Sequence, residues 1–258
     1  MMRKHLDFDC AGHRLAATLD EAPGKTGLLM VSGGNETRAG AFSGMAALAA
    51  RIADHGYPVF RFDRRGVGDS EGRNRGFRDA AADIAAAIAA FRAEAPQLQR
   101  IYGFGNCDGA SALMLANGRR LDGLLLANPW TIENDAGALP PAAIRSRYMG
   151  KLRDPAELLR LLKGQVSIAK LARGLRQAIR PPAPPSSLAM EMRHGLSRFT
   201  GPVMILLAER DRTAQAFIAS WDKSDPRIAR CPDATHAFAE PHAGDWIFNQ
   251  IIKALSDK

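Results

Sequence analysis

The sequence has few cysteines, three in 258 residues, namely Cys10, Cys107 and Cys231. An odd number without the close pairing of metal ligands argues against a disulfide framework and against a structural zinc site. No apolar run reaches the length of a membrane span, and none of signal length follows the basic start MMRKHLDFDC. We therefore expect no metal or cofactor, a reducing compartment and a cytoplasmic location.

The chain is instead rich in positive charge, with a formal net charge of +8 and a pI near 9.8. Such a surplus favours anionic surroundings, which can be nucleic acid, a membrane face or an acidic substrate. The basic residues are not interleaved with aromatic ones and match no nucleic-acid motif, so we expect no nucleic-acid partner. A hydrophobic content of 46% over this length predicts one sizeable core.

Apolar runs alternate with helical stretches along most of the chain. After a predicted antiparallel hairpin around Ala11 and Gly12 come the runs GLLMVS, PVFRF, RIYGFG, GLLLAN, PVMILLA and RIARC. Runs of this kind between helices are typical of parallel strands buried on both faces. We predict a mostly parallel α/β sheet flanked by helices, formed by residues 1–130 and 201–258. The alternation stops over residues 131–200, where two helical patterns and PPAPPSS predict a helical lid insertion.

The run RIYGFG leads into the turn Gly105-Asn106-Cys107-Asp108-Gly109, which a helix follows. This is the setting of a nucleophile elbow, in which residues two positions from the nucleophile must be small because strand and helix approach closely. The N-terminus of a helix also favours the reactive thiolate. Cys107 is therefore the candidate nucleophile, and a buried structural cysteine is the plainer alternative.

The same glycines allow a second interpretation. Gly103, Gly105 and Gly109 approach the glycine fingerprint of dinucleotide sites, with Asp122 at a suitable distance to bind a ribose. That fingerprint normally belongs to the first strand-helix turn of its domain. Because two crossover units precede this turn, we favour the elbow.

An acid and then a histidine follow the cysteine, in the chain order that such a nucleophile needs. Asp211 ends the strand in ILLAERD, and His236 follows the next strand in PDATHAF. In this arrangement His236 accepts the proton of Cys107 while Asp211 fixes the imidazole tautomer. The competing acids, which we rank lower, are Glu209, Glu133 and Asp135.

Acyl transfer also needs two N–H donors for the developing oxyanion. One candidate is the backbone amide of Asp108, directly after the nucleophile. The other is the amide of Asn35, in the loop GGNETRAG after the first buried run. Gly33 and Gly34 expose backbone there, although an ordinary strand-to-helix turn has the same composition.

Taken together, the segments VSGGNETRAG, FRFDRRGVGDSEG, GFGNCDGASAL, LLLANPW, AERD and THAF resemble those of α/β-hydrolases. The sequence is most similar to the type 1 group of exosortase A system-associated hydrolases. That resemblance implies an α/β-hydrolase fold and a link to bacterial exopolysaccharide production and exosortase sorting. The cysteine elbow is also similar to that of dienelactone hydrolases, which implies that Glu36, in the loop matching theirs, engages the resting cysteine.

Two features depart from these relatives. Asp108 puts a carboxylate beside the thiol, which would disfavour the thiolate unless the side chain turns to solvent or caps the helix, and we expect capping. The usual His-Gly of the oxyanion loop is replaced by Gly33-Gly34, so we expect no side chain of that pair to brace the loop.

The segment DRRGVGDSEG resembles a connecting turn of the same fold. We expect Asp63, Arg64 and Arg65 to hold loops together. Ser70 lacks the strand-turn-helix setting of a nucleophile, so we expect a structural role for it as well.

The predicted insertion is basic between Pro140 and His194. An apolar stripe at helical spacing in VSIAKLARGLRQAIR predicts a lid helix with a solvated basic face. The alternative is an interfacial helix drawn to anionic lipid or to an acidic, lipid-linked glycan precursor. The basic residues are Arg145, Arg147, Lys151, Arg153, Arg160, Lys163, Lys170, Arg173, Arg176 and Arg180.

These patterns together predict a hydrolase that cleaves an ester or thioester through an acyl-Cys107 intermediate. Thioesters and lactones rank above amides, because a thiolate is a good nucleophile and also a good leaving group. The partner is then a small-molecule, lipid-linked or sugar-linked acyl substrate, which can be anionic. Two alternatives stay open: an acyltransferase with the same three residues, and a non-catalytic scaffold of the same fold at a membrane face.

Overall fold

The computed structural model describes residues 2–133 and 186–257. Eight strands in these ranges form one sheet in the order β1-β2-β4-β3-β5-β6-β7-β8. Strand β2 runs antiparallel to its neighbours β1 and β4, and the other neighbouring strands are parallel. The predicted, mostly parallel α/β sheet is thereby confirmed. The strands are β1 Arg3–Cys10, β2 His13–Asp20, β3 Thr26–Val31, β4 Val59–Phe62, β5 Arg100–Asn106, β6 Gly123–Ala127, β7 Val203–Ala208 and β8 Ile228–Cys231.

The first two strands form the predicted hairpin. Cys10 pairs with His13, so the loop has two residues, Ala11 and Gly12. Both have positive φ, 51° and 80°, as a two-residue turn that matches the twist of its strands requires.

Helices cover both faces of the sheet. Buried residues of α1 and α6 belong to one core cluster, and those of α2, α3, α4 and α5 belong to the other. Along β3, Leu28 and Met30 join the first cluster while Leu29 and Val31 join the second, as in strands buried on both faces. The described α-helices are α1 Gly44–Asp54, α2 Ala81–Glu94, α3 Asp108–Leu115, α4 Ser187–Ser197, α5 Arg212–Ser220 and α6 Pro241–Ser256.

Helix α4 lies inside the range 131–200 that the sequence assigns to the insertion, and here the structure differs from the prediction. Leu188, Met192 and Leu196 of this helix are buried in the same cluster as α3. Their spacing of four residues puts them on one face of the helix, so α4 belongs to the core layer. The rest of the predicted lid, with its basic helices, lies outside the described residues.

Within the two described ranges, no helix has both the length and the apolar content that crossing a membrane requires. The loops after β3, β5, β7 and β8 leave the sheet at its carboxyl edge, because these strands are parallel. The loop after β3 carries Gly33 and Gly34, and the loop after β5 is the turn at Cys107. The loops after β7 and β8 carry Asp211 and His236. The topology therefore brings all the candidate site residues to one edge.

Candidate active site

The backbone of Cys107 has the strained conformation of an elbow. Its φ of 59° and ψ of −128° lie in a region that non-glycine residues rarely occupy, at a cost of about 1–3 kcal/mol. A Cβ on Gly105 would lie 2.6 Å from the Ala110 nitrogen, and one on Gly109 would lie 2.4 Å from the Val31 carbonyl oxygen. Both predicted glycine positions thus require glycine. Cys107 is partly exposed, whereas the other two cysteines are buried.

His236 and Asp211 lie together beside this turn. His236 Nδ1 is 3.0 Å from Asp211 Oδ2, an ion-pair distance, although the N–H is poorly aligned for a hydrogen bond. The same carboxylate oxygen caps helix α5 by accepting a hydrogen bond from the Ala214 amide at 2.9 Å. The cap fixes the Asp211 side chain, which is 7% exposed, against an imidazole that is 38% exposed.

These contacts change the ionisation of the histidine. The Asp211 carboxylate, and then the hydrogen bond with Cys107, raise the pKa of His236 to about 10 against the opposing effect of burial. At neutral pH the side chain is therefore an imidazolium.

Two asparagines, which the sequence analysis did not single out, hold the histidine loop. The side-chain amides of Asn106 and Asn128 each donate a hydrogen bond to the His236 carbonyl oxygen at 3.1 Å. Asn128 is fully buried, and its side-chain oxygen accepts the Ala208 amide at the end of β7. The available signal was position, because Asn106 precedes the cysteine and Asn128 follows an apolar strand at the same sheet edge.

The side chains of Asp108 and Arg64 hold the oxyanion loop in place by binding the backbone of Gly34. The Asp108 carboxylate accepts a hydrogen bond from the Gly34 amide at 2.6 Å and lies 3.4 Å from Arg64 Nη2. Arg64 also donates to the Gly34 carbonyl oxygen. The expected helix-capping role of Asp108 is therefore wrong, since its carboxylate binds Gly34 and Arg64 instead of an amide of α3. Gly33 permits this docking, because a Cβ there would lie 3.0 Å from the Cys107 Cβ.

The hydrogen bond from Arg64 to the Gly34 carbonyl oxygen fixes the direction of the peptide unit between Gly34 and Asn35. In a planar trans peptide the C=O and the N–H point in opposite directions. With the Gly34 oxygen held by Arg64, the Asn35 N–H points away from the arginine. The Gly34 amide already donates to Asp108, so the amide of Asn35 is the donor left in this turn. The second donor is the backbone amide of Asp108. It is the first amide of α3 and therefore has no acceptor within the helix.

The remaining candidates separate by position. The Glu36 carboxylate accepts the Ala41 amide at 3.3 Å, and within the described residues it makes no hydrogen bond to Cys107. Glu133 binds the first amides of α4, whereas Glu209 is exposed and Asp135 lies outside the described residues. Asp122 accepts the Ile101 amide at the opposite end of β5 from the cysteine, so it cannot act with the glycine turn as a dinucleotide site.

The turn after β4 is a network of ion pairs and hydrogen bonds. Asp63 accepts hydrogen bonds from the backbone and side chain of Arg38, and Arg65 pairs with Asp83 at 2.5 Å. The Ser70 hydroxyl donates to the Asp63 carbonyl oxygen at 2.7 Å. These contacts agree with the loop-holding role predicted for the segment, and Arg64 adds a contact with the elbow itself.

A cleft of about 730 Å³ opens beside Cys107 and His236. Its walls come from the oxyanion loop, from α1 and from the start of α6. Among the described residues, no three histidine, cysteine or acidic side chains cluster in a way that would hold a metal ion.

Residues 28–250 match the sequence model of the Alpha/beta hydrolase family. The chain belongs to the alpha/beta hydrolase family. Its strand order, with the second strand antiparallel and the cysteine turn after the fifth, is the architecture expected of an alpha/beta hydrolase. No curated protein matches the sequence.

Solved structures that share the alpha/beta hydrolase fold with this chain include the following three. The Pyrococcus furiosus esterase Pf2001 has a TM-score of 0.62 and 16% identity, covering 98% of this chain and 92% of its own. The alpha/beta hydrolase GrgF from Penicillium sp. sh18 has a TM-score of 0.66 and 16% identity, with 99% and 98% covered. Est1E from Butyrivibrio proteoclasticus, solved with bound ferulic acid, has a TM-score of 0.60 and 15% identity, with 98% and 100% covered. At these identities the likeness concerns the fold.

Proposed function

We propose that this alpha/beta hydrolase cleaves carboxylic esters or thioesters through a covalent acyl-Cys107 intermediate. The observation that carries the proposal is the strained elbow backbone of Cys107, held against an imidazole whose Nδ1 lies 3.0 Å from Asp211 Oδ2. Strain of this kind is retained where it serves a site. The same arrangement would serve an esterase or a thioesterase.

In the first step the Cys107 thiolate attacks the acyl carbon, and the carbonyl electron pair moves onto its oxygen. The amides of Asn35 and Asp108 stabilise that oxyanion. When the carbonyl re-forms, the bond to the leaving oxygen or sulfur breaks, and the leaving group takes its proton from the His236 imidazolium. An acyl-cysteine and a neutral imidazole remain.

In the second step His236 accepts a proton from water while the resulting hydroxide adds to the acyl carbon. Collapse of this intermediate breaks the C–S bond and restores the thiolate and the imidazolium, releasing the carboxylic acid. Acylation of the sulfur removes one of the two groups that raise the pKa of His236. The imidazole then gives up its proton more readily, which suits its role as base.

The test is mass spectrometry of the intact protein and its peptides after brief exposure to p-nitrophenyl acetate. We expect one acetyl group on Cys107, lost in Cys107→Ala and strongly reduced in His236→Ala. Cys231→Ala is the matched control, because that cysteine is buried. Labelling of Cys10 and Cys231 to the same extent as Cys107, or no adduct on Cys107, would overturn the proposal.

The same intermediate separates hydrolysis from acyl transfer. Decay of the acetyl-enzyme in water alone indicates a hydrolase, whereas decay that requires an added sugar or lipid alcohol indicates a transferase. A scaffold would keep its partner after Cys107→Ala and would form no adduct.

The proposed link to exosortase and exopolysaccharide systems is supported by the motifs that carry the resemblance, such as GFGNCDGASAL and VSGGNETRAG. These motifs coincide with the elbow and the oxyanion loop. We expect deletion of the gene in its source bacterium to change the acylation or the amount of exopolysaccharide, with complementation by the wild type but not by Cys107→Ala.

A further inference from the structure

The cleft beside Cys107 continues between two helices. From α1, Met45, Leu48 and Arg51 line one wall, and their spacing of three residues places them on one helix face. From α6, Gly244 and Ile247 line the other wall. The cleft is therefore longer than the space that the reacting atoms alone occupy.

The side chains along this cleft are mostly apolar, and the charge of Arg51 on the α1 wall is paired within the protein. Arg51 Nη1 lies 2.7 Å from Asp245 Oδ1, and the guanidinium lies 3.9 Å above the Phe248 ring centre. The Glu36 carboxylate accepts the Ala41 amide. A chain lying between the helices would thus meet methyl and methylene groups rather than an unpaired charge.

Two glycines leave room at this cleft. A Cβ on Gly44 would meet no heavy atom within 4 Å, and one on Gly244 would meet only the Phe238 carbonyl oxygen, at 3.5 Å. Gly44 has helical dihedral angles, φ −62° and ψ −40°, so neither space nor backbone requires glycine there. Gly44 lies at the exposed start of α1 and Gly244 is half-buried, so the two glycines leave room where the cleft opens towards solvent.

We propose that this cleft holds the acyl chain of the acyl-Cys107 intermediate, and that the chain is an uncharged aliphatic group. The space at Gly44 and Gly244 sets the width that the chain can use. The inference rests on the proposed function, which it deepens by naming the substrate class: esters or thioesters of medium-chain fatty acids rather than acetyl or dicarboxylic ones.

The first test measures the acylation rate of Cys107 with p-nitrophenyl esters from acetate to decanoate. We expect kcat/KM to rise by about fourfold per methylene until the cleft is filled, the factor that corresponds to burying one CH2 group. Gly44→Leu and Gly244→Leu should remove the gain for long chains, so that decanoate reacts no faster than acetate in either variant. Gly44→Ala changes the helix without filling the cleft, so it separates an effect on helix stability from an effect on cleft width. Ala89→Leu, at an exposed position of α2 on the other face of the sheet, should behave as wild type.

The second test labels Cys107 with N-alkyl iodoacetamides of increasing chain length, which need the cleft but no acyl transfer. Labelling rates that do not depend on chain length in either series would overturn the inference while leaving the proposed function intact. A chain-length dependence with iodoacetamides, but no acylation by any ester, would instead overturn the proposed function and retain the cleft as a binding site for alkyl chains.

Discussion

At the scale of single residues, Arg64 connects the oxyanion loop to the elbow. Its side chain is 4% exposed, and its Nε and Nη1 make no hydrogen bond within the described part of the chain. Buried donors without partners destabilise a fold. The residue therefore contributes more through the position of the Gly34–Asn35 peptide than through stability.

We predict that Arg64→Met slows acylation of Cys107 by p-nitrophenyl esters about 10²-fold, because misplacing one oxyanion donor has an effect of this size. Alkylation of the same thiol by iodoacetamide forms no oxyanion, so its rate should change much less. The ratio of the two rates measures the position of the loop separately from the reactivity of the sulfur.

Asp108→Asn supplies the control for this prediction. It can still accept the Gly34 amide but leaves Arg64 without its carboxylate partner. If Arg64 acts through the loop and through Asp108, the effects of the two substitutions should be non-additive in the double variant. Equal losses of acylation and alkylation in Arg64→Met would contradict a positioning role.

His236 should make stability depend on pH. Because its pKa is raised from 6.5 to about 10, its contribution is fully present below pH 6.5 and is lost as pH rises through about 10. Solvent screens a side chain that is 38% exposed, so we expect a loss of about 1 kcal/mol. Urea unfolding of the wild type and of His236→Gln across pH 6–10.5 measures the difference.

The comparison with His236→Gln is needed because two buried thiols also make stability depend on pH. Burial raises the pKa of both Cys10 and Cys231, so they too reduce stability at alkaline pH. These thiols are common to both proteins and cancel. A stability difference that is constant from pH 6 to 10.5 would show that the Asp211 contact does not hold the imidazolium.

At the scale of secondary-structure elements, the start of α4 is held by two kinds of cap. The Ser186 hydroxyl accepts the Ala189 amide at 3.1 Å, and the Glu133 carboxylate accepts the Leu188 amide at 2.7 Å. The hydrogen bond from the Ser187 hydroxyl, and then those from the Leu188 and Ser187 amides, lower the pKa of Glu133 against the opposing effect of burial. The helix is therefore tied to residues 131–133, at the end of the first described range.

We predict that Ser186→Ala lowers the free energy of unfolding by about 1 kcal/mol, the usual effect of losing an N-cap. In a protein of this size that corresponds to about 2–4 °C in Tm. Ser197→Ala, in the last turn of the same helix, removes a hydroxyl that binds the His194 carbonyl oxygen and should change Tm by less than about 1 °C. Equal shifts would mean that the cap does not determine where α4 begins.

At the scale of the whole molecule, α4 extends the helical layer formed by α2, α3 and α5. Met192 is fully buried in that layer, whereas Met190 on the same helix is 56% exposed. A helix with such a buried face unfolds with the rest of the core, since the packed side chains are shared.

We predict that Met192→Ala lowers the global free energy of unfolding by about 2–5 kcal/mol, while Met190→Ala changes it by less than about 0.5 kcal/mol. Urea unfolding followed by far-UV circular dichroism measures both. A separate early transition in Met192→Ala, with an unchanged main transition, would show that α4 moves with the insertion rather than with the core.

The sequence by itself determined the sheet and the region of the site. Apolar runs between helices fix strands buried on both faces, because each backbone must hydrogen-bond to a neighbour and each face must be covered. The glycine at position 105 carries local information, since its close contacts are with Gly109 and Ala110, within five residues of the chain, whereas those of Gly109 are with Val31 and Ser32 of another strand end. Asp211 and His236 could be named because parallel strands end at the same edge.

The tertiary structure alone decided what those residues touch. Whether Asp108 caps its helix or binds the Gly34 amide depends on a loop 74 positions away in the chain, and local pattern carries no information about such a contact. The same is true of Asn128, whose amide holds His236 across 108 positions. The sequence places α4 in the insertion because the alternation of strands and helices stops over residues 131–200, and the buried face of this helix is evident only against α3. Side-chain partners distant in sequence are selected by packing, which exists only once the sheet has formed.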